Sequence, residues 1–269
     1  MPELPEVEVT RRGIAPGLSG RQVTAVSVRT PKLRYPIPQG LPELLCGKVL
    51  QTVNRRAKYL LLEFAHGRFL LHLGMSGSLR LLPSTTPPEK HDHLDIVFGD
   101  TVLRLRDPRR FGAALWLETD SSHALLDVLG PEPLSDIFTA RWLHAALKKR
   151  STAIKPTLMD GHLVVGIGNI YASESLFRAR INPKTAANKV SLQRLEHLVP
   201  EIKATLEAAI AKGGSTLRDF IHSDGSSGYF QQEYFVYGRD GQPCRICGTT
   251  IKRIVQGQRA SFYCPNCQK

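Results

Sequence analysis

Between residues 20 and 118 the hydrophobic positions of the chain fall into short runs that turn residues separate. Runs of this kind are typical of β-strands, and the intervening AHG and GD are typical of hairpin turns. Their regular spacing predicts an antiparallel sandwich or barrel. The predicted strands are KVLQTVNR, KYLLLEF, RFLLHL, HLDIVF, TVLRLR and GAALWL.

The pattern changes near GPEPLSD, where two prolines interrupt the chain. After it, ARWLHAALKK and SLQRLEHLVPEIKATLEAAIAK have the spacing of amphipathic helices. A third unit begins near residue 226 and contains four of the five cysteines. We therefore predict an α+β, multidomain chain with a β-sandwich domain, a helical domain and a small C-terminal unit, at residues 1–132, 133–225 and 226–269.

The opening MPELPEVE predicts a helix that is preceded by an unexplained Pro-Glu pair. Pro5 suits a first helical turn, where its missing N–H needs no partner. Three apolar side chains then share one face: Leu4, Val7 and Ile14. This helix does not account for Pro2 and Glu3. If Met1 is removed, Pro2 becomes a free secondary amine beside a carboxylate, which is a candidate nucleophile with an acid/base partner.

Charge narrows the class of partner. Lys and Arg number 36 against 24 Asp and Glu, a net charge of +12. Such a surplus is common in proteins that bind nucleic acid, although a basic surface can also serve only solubility. No apolar run reaches the roughly 18 residues of a membrane span, and the N-terminus lacks a signal-peptide pattern. We expect a cytoplasmic protein, associated with the nucleoid if DNA is its partner.

Four cysteines have the spacing C-x2-C-x16-C-x2-C, which predicts a structural zinc ribbon or finger, with iron as the alternative. Four protein ligands leave no open position for catalysis. The ligands are Cys244, Cys247, Cys264 and Cys267. The fifth, Cys46, lies in an apolar stretch and is expected to be a small buried residue. Within the finger, a hairpin turn at Gln256-Gly257 would place Arg259 near its tip, where it is either solvated or bound to phosphate.

Two further patterns are candidates for DNA contact. In LVVGIGNIYASESLF, a glycine turn is followed by Asn169, which we predict to cap a helix whose free N–H groups can bind phosphate; a plain loop is the alternative. Upstream, AIKPTLMDG predicts a short helix, so the segment forms a helix, two turns and a helix. HLGMSGSL and DPRRFGAAL place Met75, Arg109 and Phe111 on turns, where they either cover a core or act as wedges in a duplex.

Together these motifs resemble the bacterial formamidopyrimidine-DNA glycosylase family, repair enzymes for oxidised purines such as 8-oxoguanine. The resemblance runs through MPELPEVE, RRAKYLL, HLGMSGSLR, EKHDH, DPRRFG, IKP, GIGNIYASE, SDGSSGYF and CPNCQK, and covers essentially the whole chain. It implies a β-sandwich, a helix–two-turn–helix domain and a finger with one structural Zn²⁺, with DNA crossing the cleft between the two halves. The expected partner is double-stranded DNA with oxidised purines or abasic sites. We expect the protein to be a monomer and to have no membrane partner.

The resemblance also implies residue roles. The mature terminal amine of Pro2 is the nucleophile, Glu3 is the acid/base carboxylate and Lys58 is required for chemistry near the damaged nucleotide. Phosphates flanking the lesion are contacted by Asn169, Arg259 and Tyr237. Met75, Arg109 and Phe111 fill the space left by the extruded base. His91 and Arg150 contact DNA, although the family often has Lys in place of Arg150. Residues 217–230 correspond to a loop over the oxidised base.

Two alternative functions remain open at this point. An endonuclease VIII-like enzyme would act on oxidised pyrimidines; the opening ELPEVE, the Met75, Arg109 and Phe111 set and the 217–230 segment favour the purine enzyme. A non-catalytic zinc-finger protein could use the same surface to bind DNA, but Pro2 and Glu3 argue against it.

Overall fold

The computed structural model describes residues 2–119, 121, 123–213 and 234–269, which form two compact units. Described residues up to Asp127, with 210–213, belong to the first unit, and 128–209 with 234–269 belong to the second. The segment 217–230, predicted to lie over the oxidised base, falls outside the described residues. In the described ranges no helix combines the length and apolarity needed to cross a bilayer.

The first unit is an antiparallel β-sandwich with a helix packed on it, as the hydrophobic pattern predicts. Its sheets have the strand orders β1-β6-β7-β5 and β2-β3-β4-β8. Its strands are β1 Ala25–Val28, β2 Thr52–Arg56, β3 Tyr59–Phe64, β4 Gly67–His72, β5 Ser78–Pro83, β6 Asp92–Phe98, β7 Thr101–Arg106 and β8 Ala113–Glu118. Its helices are α1 Leu4–Leu18, α2 Leu41–Leu45 and α3 Ala124–Asp127.

One apolar core holds the sandwich together. It combines inward side chains of both sheets, such as Leu60 and Phe69 from one and Ile96 and Leu103 from the other. The buried face of α1 joins this core through Val7, Ile14 and Leu18. Burial of such side chains stabilises the fold by roughly 1.5–3 kcal/mol each. The core therefore fixes α1, and with it the residues that precede α1, against the sandwich.

All six predicted strands are present, but the hydrophobic pattern missed β1, β5, α2 and α3. Strand β1 is mostly exposed, so it has no apolar run to reveal it. Strand β5 follows directly on a turn and has only two fully buried residues at its start. The expectation for Cys46 is wrong: it ends α2 and is partly exposed.

The second unit contains helices and a C-terminal hairpin. Its elements are α4 Ala140–Leu147, α5 Ile154–Leu158, α6 Asn169–Arg178, a 3-10 helix at Ala187–Lys189, α7 Leu192–Ala211 up to residue 209, β9 Lys252–Gln256 and β10 Arg259–Tyr263. The predicted long helices correspond to α4 and α7. Thr139 caps α4 by accepting a hydrogen bond from the Trp142 N–H. Helices α5 and α6, separated by turns, form the predicted helix–two-turn–helix arrangement.

Candidate functional site

The N-terminal residues are buried at the beginning of α1. Pro2 is buried, and Glu3 is only 2% exposed. Glu3 and Glu6 form a capping box, in which each side chain accepts from the other's backbone N–H; the Glu3 N–H lies 2.8 Å from Glu6 Oε2. The capping box fixes the backbone of Glu3, so this carboxylate is held at a defined place next to Pro2.

A cluster of ion pairs attaches α1 to β2. Glu8 accepts from Arg11 and Arg12 on its own helix, both at 2.8 Å, and from Arg55 on β2 at 3.1 Å. Burial alone would raise the pKa of Glu8, but hydrogen bonds from these three arginines outweigh it and lower the pKa to about 2. Glu8 is therefore ionised at neutral pH. The pair with Arg55 brings α1 to the end of β2 that leads into the turn carrying Lys58.

Lys58 lies in the two-residue turn between β2 and β3 and is partly exposed. Its neighbour Ala57 has a φ of 54°, the left-handed conformation that tight hairpin turns need. Desolvation, reinforced by the positive charges of Lys58 and Arg34, lowers the pKa of His72 to about 4. His72 is thus neutral at pH 7, and its Nδ1 accepts a hydrogen bond from the Gly74 N–H at 3.0 Å. This bond fixes the beginning of the turn that carries Met75.

The structure brings the Met75 turn (residues 73–77) against the Arg109 turn (residues 107–112). Gly74 has a φ of 62°, and a Cβ there would lie 2.5 Å from the backbone N of Gly112. Only glycine allows this approach. Phe111 is 47% exposed, and the Arg109 guanidinium lies 4.7 Å from its ring centroid. The exposure of Phe111 argues against a core cap at that position, and the role of a wedge in DNA stays a prediction.

His91 lies beside the same two turns. It precedes β6 with a φ of 76°, and its carbonyl accepts a hydrogen bond from the Asp107 N–H at 3.0 Å. The first unit thus groups four residues that the sequence singled out. They are His91, Met75, Arg109 and Phe111.

In the second unit a buried lysine organises the start of α6. Lys155 is 1% exposed and donates to Asn169 Oδ1, to the Ala260 carbonyl at 3.0 Å and to Ser261 Oγ at 2.8 Å. The prediction that Asn169 caps α6 is wrong. Gly168 is the cap residue, and Asn169 is the first residue of the helix, with its side-chain oxygen turned to Lys155. Lys155 thereby links the start of α6 to the strand that begins with Arg259.

A buried carboxylate on α6 orders the segment that contains Tyr237. Glu174 is 4% exposed and accepts hydrogen bonds from the backbone N–H groups of Phe235, Val236 and Tyr237 at 2.9–3.0 Å. The Tyr237 ring packs edge-on to Phe262 at 5.2 Å between centroids. Sequence reasoning missed Glu174, because its partners lie more than 60 residues away.

Arg259 is exposed at the first position of β10, directly after the hairpin turn. The turn lies at Gly257 and Gln258, one residue later than predicted, and both have positive φ, at 53° and 62°. This is the pattern of a type I′ turn. Arg150 is partly exposed and donates to Asp160 Oδ2 at 2.6 Å. Arg150, Asn169, Tyr237 and Arg259 are therefore all placed on the second unit.

The four predicted cysteines converge, with all Sγ atoms within 4.8 Å of one another. Zinc–sulfur bonds of about 2.3 Å in a tetrahedron require sulfurs about 3.8 Å apart. Cys244 and Cys267 are 3.9 Å apart, and Cys247 lies 3.5 Å from Cys264 and 3.4 Å from Cys267. The backbone N–H of Ile246 donates a hydrogen bond to Cys244 Sγ at 3.5 Å, which orients this sulfur. The donor set fits one structural Zn²⁺.

The class of protein is that of the zinc-finger DNA glycosylases. Three features together define it: a sandwich with a buried N-terminal Pro-Glu, a helix–two-turn–helix and a four-cysteine finger. Residues 1–114 match the description "Formamidopyrimidine-DNA glycosylase N-terminal domain", residues 129–221 its "H2TH domain", and residues 241–269 "Zinc finger found in FPG and IleRS". The chain belongs to the formamidopyrimidine-DNA glycosylase family, and it is therefore an enzyme of DNA repair.

Individual relatives match over their whole lengths. The formamidopyrimidine-DNA glycosylases of Janthinobacterium sp. (strain Marseille) and Aromatoleum aromaticum are 58% and 59% identical, with 100% of both chains covered. Among solved structures, Lactococcus lactis Fpg in complex with an abasic site containing DNA is 35% identical, with a TM-score of 0.92 and 99% of each chain covered. MutM in complex with carbocyclic 8-oxo-G containing DNA is 36% identical, with a TM-score of 0.91 and full coverage of both chains.

Proposed function

We propose that this chain removes oxidised purines from duplex DNA and then cleaves the abasic site by β,δ-elimination, through a Schiff base on Pro2. The observation that carries the proposal is the buried Pro2 and Glu3 at the fixed beginning of α1. The relatives support it, because the similar L. lactis structures contain abasic-site DNA and Fapy-dG DNA.

The chemistry begins at the nitrogen of Pro2 once Met1 has been removed. An α-amino group titrates near pH 7.7–8.0, so about a tenth is neutral at pH 7, whereas a lysine near 10.4 is far less available. The lone pair forms a bond to C1′, and the damaged base leaves with the electrons of the glycosidic bond. The nitrogen now carries a positive charge and one proton. It passes that proton to Glu3.

Ring opening completes the Schiff base. The C1′–O4′ bond breaks, O4′ takes the proton from Glu3, and the nitrogen lone pair forms the C1′=N⁺ bond. A secondary amine can form only a cationic iminium, which withdraws electrons and acidifies the C2′ proton. Loss of that proton expels the 3′ phosphate, a second elimination expels the 5′ phosphate, and water releases the enzyme. Lys58 supplies positive charge to this region.

Extrusion of the damaged nucleotide leaves a space that we assign to Met75, Arg109 and Phe111. Extrusion costs a few kcal/mol in lost stacking and pairing. The exposed Phe111 with Arg109 stacked on it can recover part of this free energy by filling the stack. Arg109 can also donate to the orphaned base, so excision should depend on which base lies opposite the lesion.

Backbone contacts hold the DNA in register. We assign phosphate contacts to Asn169, Tyr237 and Arg259 and further DNA contacts to His91 and Arg150. The first backbone N–H groups of α6 are suited to an anion. Because Lys155 holds the Asn169 oxygen and the strand that begins with Arg259, it keeps both groups in place.

We further propose that the chain has three domains, at residues 1–132, 133–225 and 226–269. We propose that it is a monomer of the bacterial cytoplasm that associates with the nucleoid.

Borohydride reduction tests the proposal. Incubation with an 8-oxoguanine duplex and borohydride should trap a covalent protein–DNA adduct, and peptide mapping should place it at residue 2. An adduct at Lys58 would overturn the assignment of the nucleophile. A parallel duplex with one oxidised pyrimidine should be cut more slowly; the reverse preference would favour the endonuclease VIII-like alternative, and the absence of any adduct would favour a non-catalytic DNA-binding protein.

A further inference from the structure

We infer that Asp107 is a positioning residue that holds the Met75 turn, the Arg109 turn and His91 in one arrangement, so that their side chains enter DNA as a unit. The inference rests on the proposed function of these side chains. Asp107 itself is buried and contacts neither the reacting atoms nor the base. Its role is to align the side chains that enter the DNA.

The Asp107 carboxylate joins the two turns. Asp107 is fully buried, with a relative exposure of 0%. Its Oδ1 accepts from Ser76 Oγ at 3.2 Å, and its Oδ2 accepts from the Gly112 N–H at 2.8 Å. Ser76 follows Met75, and Gly112 follows Phe111. One oxygen therefore fixes the turn that carries Met75, and the other fixes the end of the turn that carries Arg109 and Phe111.

The backbone of Asp107 extends the same connection to the third segment. Its N–H donates to the His91 carbonyl at 3.0 Å, and its carbonyl accepts from the Arg110 N–H at 3.2 Å. The same carbonyl lies 3.0 Å from His93 Nε2. His91 and Arg110 both have positive φ, at 76° and 54°. Two residues in an uncommon backbone conformation are thus held by bonds to Asp107.

The close packing of the two turns makes this connection rigid. A Cβ at Gly112 would lie 2.6 Å from the His72 carbonyl and 3.0 Å from Asp107 Oδ2. With Gly74 already against Gly112, one turn cannot shift without moving the other. A buried carboxylate that loses its donors also pays a full desolvation penalty, which favours the arrangement that satisfies both oxygens. Side chains held in this way meet the duplex already oriented. Orientation in advance lowers the activation free energy, because the entropy of alignment need not be lost during the reaction.

Three substitutions separate alignment from folding. Asp107→Ala removes both side-chain hydrogen bonds, and Ser76→Ala removes only the bond to the Met75 turn. Asp107→Asn is the conservative control, because its oxygen can accept from Gly112 while its amide donates to the Ser76 hydroxyl. Thermal unfolding of each variant establishes that it is folded. If Asp107→Ala does not fold, the excision rates of Ser76→Ala and Asp107→Asn are compared instead.

Single-turnover excision of 8-oxoguanine opposite C and opposite A should be measured beside cleavage of a pre-formed abasic site. Asp107→Ala should slow excision about 10- to 100-fold and blunt the opposite-base preference, while abasic cleavage falls by less than about threefold. Ser76→Ala should slow excision by about three- to tenfold, and Asp107→Asn should stay within about threefold of the wild type. Equal losses on both substrates, or an unchanged opposite-base preference, would overturn the inference.

A double-mutant cycle tests the coupling directly. Met75→Ala and Arg109→Ala should be non-additive for excision in the wild type and additive in the Asp107→Ala background, because only a shared support couples them. Additivity in the wild type would refute the coupling. If Arg109→Ala excised 8-oxoguanine at the wild-type rate, both the proposed wedge and the Asp107 inference would be refuted. If Arg109→Ala lost excision as expected but Asp107→Ala behaved as the wild type, only the Asp107 inference would be refuted.

Discussion

Glu3 and Glu8 lie on the same short stretch of chain, yet their surroundings suit different tasks. Glu8 is surrounded by three guanidinium groups that hold it ionised and inert. Glu3 belongs to a capping box next to Pro2, and its buried place beside that nitrogen suits the proton relay that we propose for it. The sequence makes Glu3 recognisable by its neighbour Pro2. It cannot show that Arg55, 47 positions away, pairs with Glu8.

Glu3→Gln removes the carboxylate that we propose as the proton relay. We expect excision of 8-oxoguanine to fall at least about 100-fold, the usual range for loss of general acid–base catalysis. Binding to a duplex with a stable abasic-site analogue should change by less than about threefold, because the amide keeps the size and the capping hydrogen bond. Single-turnover excision and gel-shift titration measure the two effects. Wild-type excision by this variant would contradict the assignment.

Glu8 predicts a particular dependence of stability on pH. Its folded pKa, about 2, lies below its ordinary value of 4.5, so its stabilising effect is present above pH 4.5 and is lost as the pH falls toward 2. At pH 7 the difference in free energy of unfolding from Glu8→Gln should be on the order of 2–3 kcal/mol. Thermal midpoints of both proteins should converge between pH 4.5 and 2. A constant difference over that range would contradict the prediction.

At the scale of elements, two buried side chains connect the helix–two-turn–helix to the C-terminal part of the chain. Lys155 joins α5, the start of α6 and β10, and Glu174 joins α6 to the segment before the first cysteine pair. Periodicity revealed the helices themselves. It could not reveal these connections. Asn is a favoured cap residue, so the sequence predicts a cap at Asn169, whereas its actual partner, Lys155, lies 14 positions away. The hairpin turn shifted by one residue because Gln258 adopts a positive φ that glycine usually supplies.

Glu174→Ala tests the second connection. Three backbone N–H groups would lose their acceptor, and each buried donor left unsatisfied costs roughly 1–3 kcal/mol. We expect a lower unfolding temperature and weaker DNA binding, because Tyr237 loses its support. Glu174→Gln should be intermediate, since its single carbonyl oxygen can still accept from Val236 and Tyr237. Glu196→Gln, at an exposed position on α7, is the control and should behave as the wild type in both measurements.

Across the whole molecule, the charge and the cysteines were the most informative signals. A net charge of +12 indicated a polyanion, and the spacing of four cysteines indicated the finger. Neither identifies which cations meet DNA. That selection depends on placement: Arg104 is 2% exposed and bonds Asp95, whereas Arg259 is exposed on a hairpin. The sandwich core was likewise predictable because strands such as β3, β4 and β7 bury consecutive residues and so appear as short apolar runs. Strand β1 is mostly exposed and has no such run.

Zinc removal should separate folding of the finger from that of the sandwich. Four thiolates hold the metal, and a segment this small depends on it for its fold. Treatment with a chelator should release one zinc per chain and weaken binding to abasic-site DNA by at least about tenfold, because Arg259 loses its support. Circular dichroism of the sandwich strands should change little. Full binding in metal-free protein would contradict this, and Arg259→Ala with zinc retained is the matched control.

The contact between Gly74 and Gly112 has a consequence for how such an enzyme can diversify. Neither glycine can acquire even a methyl group without a 2.5–2.6 Å clash with backbone, so both turns are fixed in length and path. The side chain at position 75 is partly exposed, and those of Arg109 and Phe111 are exposed. Given the wedge role that we propose for these three side chains, new lesion or opposite-base preferences can arise in evolution or by engineering through their exchange. Insertions, deletions and glycine replacements in the two turns would instead disrupt the packing that holds them.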